Sequence, residues 1–220
     1  VITNKGFIEA DIVINAAGLY ADKISKLAGA EDFVIKPRRG QYILFDKDVE
    51  PKVKRVLFPT PTPITKGVVV TRTTEGNLMI GPSAEDLPID AKEDESTTIE
   101  GIDFVWKEAQ RLVKKLPPRS KIIRLFSGLR PEPTGEDFVL KGYKKPYGFI
   151  NAAGMRSPGF TAAPAIALEI VKILNEFYKI ELIKKNKWNA IRRSIPKFRN
   201  LNDDQRNELI RKDPNYGVIV

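Results

Sequence analysis

The 220-residue chain contains no cysteine and no histidine. The first absence excludes disulfides and Cys-ligated metal within the chain and fits a reducing compartment. The second removes the commonest general base and the commonest metal ligand. No metal site is therefore expected, and any catalysis has to use Arg, Lys, Tyr, carboxylates or a cofactor. No apolar run reaches membrane-spanning length and no secretory signal is read, so a cytoplasmic protein is expected. G-x-G-x-x-G, the strand-to-helix turn that cradles dinucleotide phosphates, is also missing.

Apolar residues make up 42% of the chain, enough for a proper core. The net charge of +9 is uneven: residues 179–200, KIELIKKNKWNAIRRSIPKFRN, hold eight Lys/Arg against one Glu, so +7 of the +9 sits there. Such a run reads as a solvated connector, or as a patch for an acidic partner domain or an anionic membrane surface. Nucleic acid is not expected as a partner, because no recognition signature or stacking aromatics accompany the charge. The chain opens on VITNKGFIEADIVINAAG and closes on YGVIV, an apolar, strand-like run. Both ends read as cuts through a longer protein.

The pentapeptide INAAG occurs twice, at Ile14–Gly18 and Ile150–Gly154. Each copy ends an apolar run and precedes a helical pattern, giving a strand, a tight turn and a helix. The flanks LYADKI and MRSPGF do not match, so a tandem repeat is rejected. Two returns of the chain to one ligand are expected instead, from adjacent strands with Gly18 and Gly154 at the same sheet edge. Between them, 33–36, 41–46, 53–58, 121–129 and 137–141 read as strands, and TPTPITKG as a turn-rich loop. GVVVTRTTEGNLMIGPS reads as a hairpin. Residues 97–116 keep the 3, 4 spacing of one buried helix face, with Thr97 and Glu100 as a capping box and Pro117-Pro118 as the stop. The run TAAPAIALEIVKILNEFY is apolar nearly all round, so a buried helix is expected, capped by Thr161. Asn202 and Gln205 read as the cap of a short helix at 203–211.

Small residues between strand and helix let backbone N–H groups approach a ligand, and the helix N-terminus favours negative charge. DIVINAAGLYAD, KPRRGQYILFD, RTTEGNLMIGPSAED, FSGLRPEP and GFINAAGMRSPGFTAAPAIA follow one another in an order and spacing that resemble the D-amino-acid-oxidase-like superfamily of FAD-dependent oxidoreductases. Within it the resemblance is greatest to the anaerobic-type bacterial glycerol-3-phosphate dehydrogenases, over roughly residues 8–178. The L-2-hydroxyglutarate oxidases are near relatives. The resemblance implies an α/β (α+β) fold. Residues 1–30 and 146–178 would belong to a partial FAD-binding Rossmann-like domain. Residues 31–145 would form a mixed or antiparallel β-sheet substrate domain with a long covering helix. The stretch 179–220 resembles the basic connector to a C-terminal Cys-rich domain. That missing domain is where an iron–sulfur cluster would sit, and the missing GxGxxG would lie upstream of Val1.

The implied reaction is oxidation of a secondary alcohol carrying an anion, glycerol 3-phosphate first, with an L-2-hydroxy acid and an amine as alternatives. Arg130 in GLRPEP matches the family's anion-holding arginine, and its planar fork suits phosphate or carboxylate. Tyr42 stands where aerobic-type relatives carry histidine, and Arg39 is the third candidate for catalysis. The resemblance places Ala17, Gly18, Gly40, Gln41, Gly154, Met155, Arg156, Ser157, Gly159 and Thr161 beside FAD. Strand alternation sends Gln41 and Tyr42 to opposite faces, so at most one meets the substrate. Further expected partners are the small anionic substrate and an electron-transfer protein or the inner membrane face. A reading from another class is a non-catalytic scaffold working through the basic stretch. Clustering of Arg39, Tyr42, Arg130 and Arg156 favours the enzyme, and their dispersal the scaffold.

Overall fold

The computed structural model describes residues 1–61, 66–135, 137–183, 185–192 and 194–217. The loop read at 60–67 and the apolar end at 216–220 lie partly outside them. The chain divides into two compact units, Val1–Glu181 and Leu182–Val220. No helix among the described residues is long and apolar enough to cross a membrane.

The first unit begins with a small hairpin, β1 (Ile2–Thr3) and β2 (Gly6–Phe7), followed by β3 (Val13–Asn15) and α1 (Ala21–Leu27). Then come β4 (Ile35–Phe45), β5 (Val69–Arg72), β6 (Leu78–Gly81), β7 (Glu85–Asp86) and α2 (Ile99–Ala109). The unit continues with β8 (Ile122–Pro133), β9 (Val139–Gly142), β10 (Phe149–Ala153) and α3 (Gly159–Lys172). In the second unit α4 (Asp203–Lys212) starts on the expected box, Asn202 and Gln205 each bonding the other's backbone.

Two sheets carry the first unit. The smaller has the order β3-β10-β9, with β10 parallel to β3 and antiparallel to β9. In the larger, β4 pairs along its whole length with β8 and on its other edge with β6 and β7, and β5 pairs with β6. The strands expected at 33–36 and 41–46 are therefore one strand, and the expected hairpin is β5–β6. Among the described residues, 53–58 contribute one bridge, Leu57 to Val70.

The main core lies where Ile43, Phe45, Val68, Val70, Leu78 and Ile80 meet Ile102, Val105 and Ala109 of α2. Each fully buried side chain of this size contributes about 1.5–3 kcal/mol. The covering helix is shorter than the apolar spacing suggested. After Ala109 the backbone tightens into i→i+3 turns, Arg111 N to Glu108 O and Leu112 N to Ala109 O, while Leu112, Val113 and Leu116 go on packing. Its N-cap is Thr98, not Thr97: the Thr98 hydroxyl accepts from Gly101 N. The reciprocal half expected of Glu100 comes from another strand, because Gln41 Oε1 accepts from Thr98 N at 2.7 Å. The buried helix expected after the second INAAG is α3, and none of its residues is buried; Phe160 is 95% exposed and Leu168 71%. It rests one side on β9 and β10, and no described element covers the other.

A buried ion pair ties the middle of the unit to its start. Lys92 Nζ donates to both Asp22 carboxylate oxygens, at 2.6 and 2.7 Å, and to Leu19 O at 2.8 Å. Asp22 Oδ2 also accepts from Ile35 N. Burial by itself raises the Asp22 pKa, but the bonds from Lys92 and the Ile35 amide, with the Lys92 charge, hold it below the usual range. Lys92→Met strands this carboxylate and is expected to lower the unfolding free energy by about 3–5 kcal/mol in urea titrations at pH 7. A folded pKa below the unfolded value of about 3.9 means the pair's contribution is complete above that pH and is lost as pH falls through the folded pKa. The gap between variant and parent should accordingly close below about pH 4; a gap of under about 1 kcal/mol at pH 7 would mark the pair as no stronger than a surface one.

Candidate functional site

The two INAAG segments lie side by side, as expected. Ile14 is opposite Ile150 and Asn15 opposite Asn151 in the parallel pair, so both AAG turns leave the same end of the sheet. Gly18 (φ 57°) and Gly154 (φ 68°) both take the left-handed conformation that glycine adopts without strain. At Gly154 space also matters, because a Cβ would stand 2.7 Å from Pro133 Cγ. Around Gly18 nothing lies within 4 Å, and Ala16, Ala17 and Gly18 are exposed. The carboxyl end of adjacent parallel strands, followed by helix N-termini, is where α/β sheets receive ligands.

The second part is one face of the β4–β8 pair. Even-numbered residues of β4 face away from the core beneath α2. Their partners in register are Arg38 with Arg130, Gly40 with Gly128, and Tyr42 with Phe126. Two opposed glycines thus leave bare backbone between an aromatic pair and an arginine pair. The Tyr42 and Phe126 rings stack at 5.0 Å between centroids. A Cβ on Gly40 would meet Pro82 Cβ at 2.9 Å and Arg130 Nη2 at 3.3 Å, so the guanidinium lies across this floor. Above Gly128 the space is open.

Arg130 is aimed by one backbone bond, Nη2 to Ser83 O at 2.9 Å. Its buried Nε has no hydrogen-bond partner among the described residues. Glu132 does not serve as its ion-pair partner. That carboxylate lies 3.0 Å from Arg156 Nε and 3.7 Å from Arg38 Nη1, and Arg38 also bonds Asp86 through both Nε and Nη2. Burial pulls the Arg130 guanidinium below the ordinary arginine value. Burial likewise pushes the Tyr42 phenol up, with the Arg130 charge opposing it.

The turn and the face meet at Glu132 and Pro133. Glu132 takes Arg156 from the second turn, Pro133 abuts Gly154, and Arg156 Nη2 reaches Gly135 O. Tyr42, Gly40, Arg130, Gly154 and Arg156 are therefore gathered by β8. Met155 is half-buried beneath Gly159, where a Cβ would lie 2.8 Å from Met155 Cβ, and Ser157 is exposed on the same turn. Thr161 is no N-cap: α3 begins at Gly159, and the Thr161 hydroxyl donates back to Pro158 O.

Two expected site residues lie elsewhere. Arg39 is 3% exposed and points to the core side, where Glu85, Asp94 and Ser96 take its guanidinium. Gln41 is fully buried on that same side and caps α2 through Thr98. Alternation explains both, since odd positions of β4 face the core. Phe126 and Gly128, which are four and two positions before Arg130, joined the site without being singled out beforehand, and Glu132, two after it, joined it as the partner of Arg156 and Arg38. Period 2 along FSGLRPEP carried that signal. Ser83, which positions Arg130 through its backbone carbonyl, had none.

Known proteins share this architecture. A glycerol 3-phosphate dehydrogenase of Caloramator mitchellensis is 46% identical over all 220 residues, which cover 45% of that protein. A glycerol 3-phosphate oxidase of Mycoplasma pneumoniae is 36% identical over 81% of this chain and 45% of its own length. The solved structure of the dithionite-reduced L-alpha-glycerophosphate oxidase from Mycoplasma pneumoniae, with FAD bound, superposes with a TM-score of 0.71 at 35% identity, over 81% of this chain and 45% of that one. The chain thus spans about half the length of the relatives it matches. The DAO family, FAD dependent oxidoreductase, matches residues 1–173. With that match, and with two strand-turn-helix units meeting an arginine-bearing sheet face, the chain belongs to the DAO family of FAD dependent oxidoreductases.

Proposed function

We propose that this chain is the later part of an FAD-dependent dehydrogenase that oxidises glycerol 3-phosphate to dihydroxyacetone phosphate. The observation that carries the reading is the half-buried Arg130, held by one backbone bond across a glycine floor, one strand-end from the paired AAG turns. The 46% identity to a glycerol 3-phosphate dehydrogenase supports the substrate. In this reading 1–30 and 146–178 belong to the FAD-binding domain, 31–145 to the substrate domain and 179–220 to a connector. The uncovered side of α3 then faces the remainder of the FAD domain.

The residues fit one part of FAD. Exposed backbone at Ala17 and Gly18, the Gly154–Gly159 turn and the Arg156 cation suit the electron-rich edge of a flavin ring. They do not fit its pyrophosphate, because no Gly-rich phosphate turn exists in the chain. FAD, when bound, supplies the acceptor for the electron pair and hydrogen of the substrate C–H bond.

The chain's own residues bind and aim the substrate. Arg130 offers its guanidinium fork to the phosphate, which fixes the far end of a three-carbon molecule and so the position of its C–H bond. Tyr42, raised by burial, stays protonated at neutral pH. It serves as a hydrogen-bond donor to the substrate oxygen, so it is not the base that takes the hydroxyl proton. Phe126 and Tyr42 close one side against water.

Two outcomes test this reading. The 220-residue chain alone is expected to purify colourless, without stoichiometric FAD, since nothing in it grips the ADP half. A flavin absorbance band at one equivalent would refute that. In the full-length protein Arg130→Lys keeps the charge but loses the fork. At about 1.5–3 kcal/mol for a charge-assisted hydrogen bond, kcat/KM with glycerol 3-phosphate should fall by roughly one to two orders of magnitude, with flavin content unchanged. Steady-state kinetics with glycerol 3-phosphate and an L-2-hydroxy acid decide the substrate. Unchanged kcat/KM with both would remove Arg130 from the site, and lost flavin would assign it to the cofactor.

A further inference from the structure

The repeated pentapeptide carries a repeated asparagine, and neither copy reaches the sheet face that holds Arg130. Both are buried, Asn15 almost wholly and Asn151 wholly. They stand opposite each other in the parallel pair and bond directly, Asn15 Nδ2 to Asn151 Oδ1 at 2.7 Å. Asn15 Nδ2 also donates to Ala21 O at 2.8 Å, and Asn15 Oδ1 accepts from Ala17 N at 3.3 Å. One side chain thus ties the last residue of β3 to the turn that follows and to the first residue of α1. Asn151 Nδ2 donates to Ser25 Oγ at 2.7 Å and to Tyr143 Oη at 3.0 Å.

The hydroxyl protons beyond are committed as well. Ser25 Oγ donates to Ala30 O, and Tyr143 Oη donates to the Asp32 carboxylate. Both donations force the two hydroxyl oxygens to accept from Asn151. Its amide orientation follows, and so does that of Asn15. The network reads in one direction from Asp32 to the Ala17 amide, and every amide proton in it has a partner. A leucine pair would hold the strands together as well as this by burial alone. It would not fix the amide of the first turn against a residue whose own strand runs into the second.

We infer that Asn15 and Asn151 are positioning residues: their side-chain pair holds the Ala16–Gly18 and Gly154–Gly159 turns at one fixed separation, so that both present backbone to the same flavin edge. The inference rests on the proposed FAD reading. Without the pair each turn still forms, but their relative placement relaxes, and a planar ligand spanning both loses its match.

The test uses the full-length protein with its flavin. Asn15→Ala leaves Ala17 N, Ala21 O and Asn151 Oδ1 without their partner. It is expected to raise the FAD dissociation constant about tenfold, on the scale of one net hydrogen bond, and to alter the visible flavin spectrum well below the melting temperature. In the flavin-free protein, amide exchange should quicken at Ala17 and also across 154–156. Asn15→Ala/Asn151→Ala should weaken FAD little more than either single change, because the residues act as a unit. Should Asn15→Ala fail to fold, Ser25→Ala removes only the outer support and should shift the same spectrum less. A lowered melting temperature with unchanged FAD affinity, spectrum and exchange at 154–156 would overturn the inference and leave the pair merely structural. Full-length parent protein that binds no FAD would instead overturn the functional reading.

Discussion

The parallel pairing of β3 with β10 is the constraint on which the first unit depends. Adjacent parallel strands need a long crossover, and here the crossover contains the whole larger sheet and its helix. Everything from α1 to β9 must leave one strand and return beside it in a single register. A slip by one residue would turn both asparagines out of their network and bury apolar side chains in their place. Two amides satisfied by each other, by α1, by the Ala17 amide and by Tyr143 therefore select the register. The buried Lys92–Asp22 pair secures the same junction from the other side, joining the segment before α2 to α1 and to the start of β4.

A second consequence concerns β4, which works as a strand with two different jobs. Its odd positions build the core and its polar edge: Ile43 and Phe45 pack beneath α2, Gln41 caps that helix, and Arg39 closes an ion cluster with Glu85 and Asp94. Its even positions, together with those of β8, stay open and form the arginine, glycine and aromatic rows. The core side fixes the strand, and so places Tyr42 on its open side and, on β8, Arg130 opposite Arg38. Glu132 then joins this face to the second turn by taking two arginines, which leaves Arg130 held by its one backbone bond to Ser83.

Much of this was legible beforehand where the signal was local. The β5–β6 hairpin, the α4 cap and the strand-turn-helix units follow from residues within a few positions of one another. The adjacency of the INAAG strands was legible too, though only because the pentapeptide is repeated. What escaped depends on partners far along the chain. Thr98 rather than Thr97 caps α2 because Gln41, 57 residues away, supplies the reciprocal bond. Arg39 and Arg38 are indistinguishable as neighbours in sequence until the face that meets α2 is known. The apolar helix after the second turn reads as buried by composition, whereas its burial depends on what packs against it, which lies beyond local pattern.

One physical cause, removal from water, acts on two polar groups of the open face: it lowers Arg130 and raises Tyr42. Neither change alters charge at neutral pH, since arginine stays protonated and the phenol stays neutral. What changes is strength. A desolvated guanidinium attracts an anion more than a solvated one does, because the effective dielectric around it is lower. A protonated phenol on a dry wall can donate to an oxygen but has no negative charge to repel a phosphate. In the proposed reading the face therefore discriminates by charge at one end and by hydrogen bonding at the other, with bare glycine backbone between. In that reading a neutral or cationic ligand of the same length forfeits the attraction of the half-buried Arg130 charge, whose neighbouring carboxylates Glu132 and Asp86 are already engaged by Arg38 and Arg156.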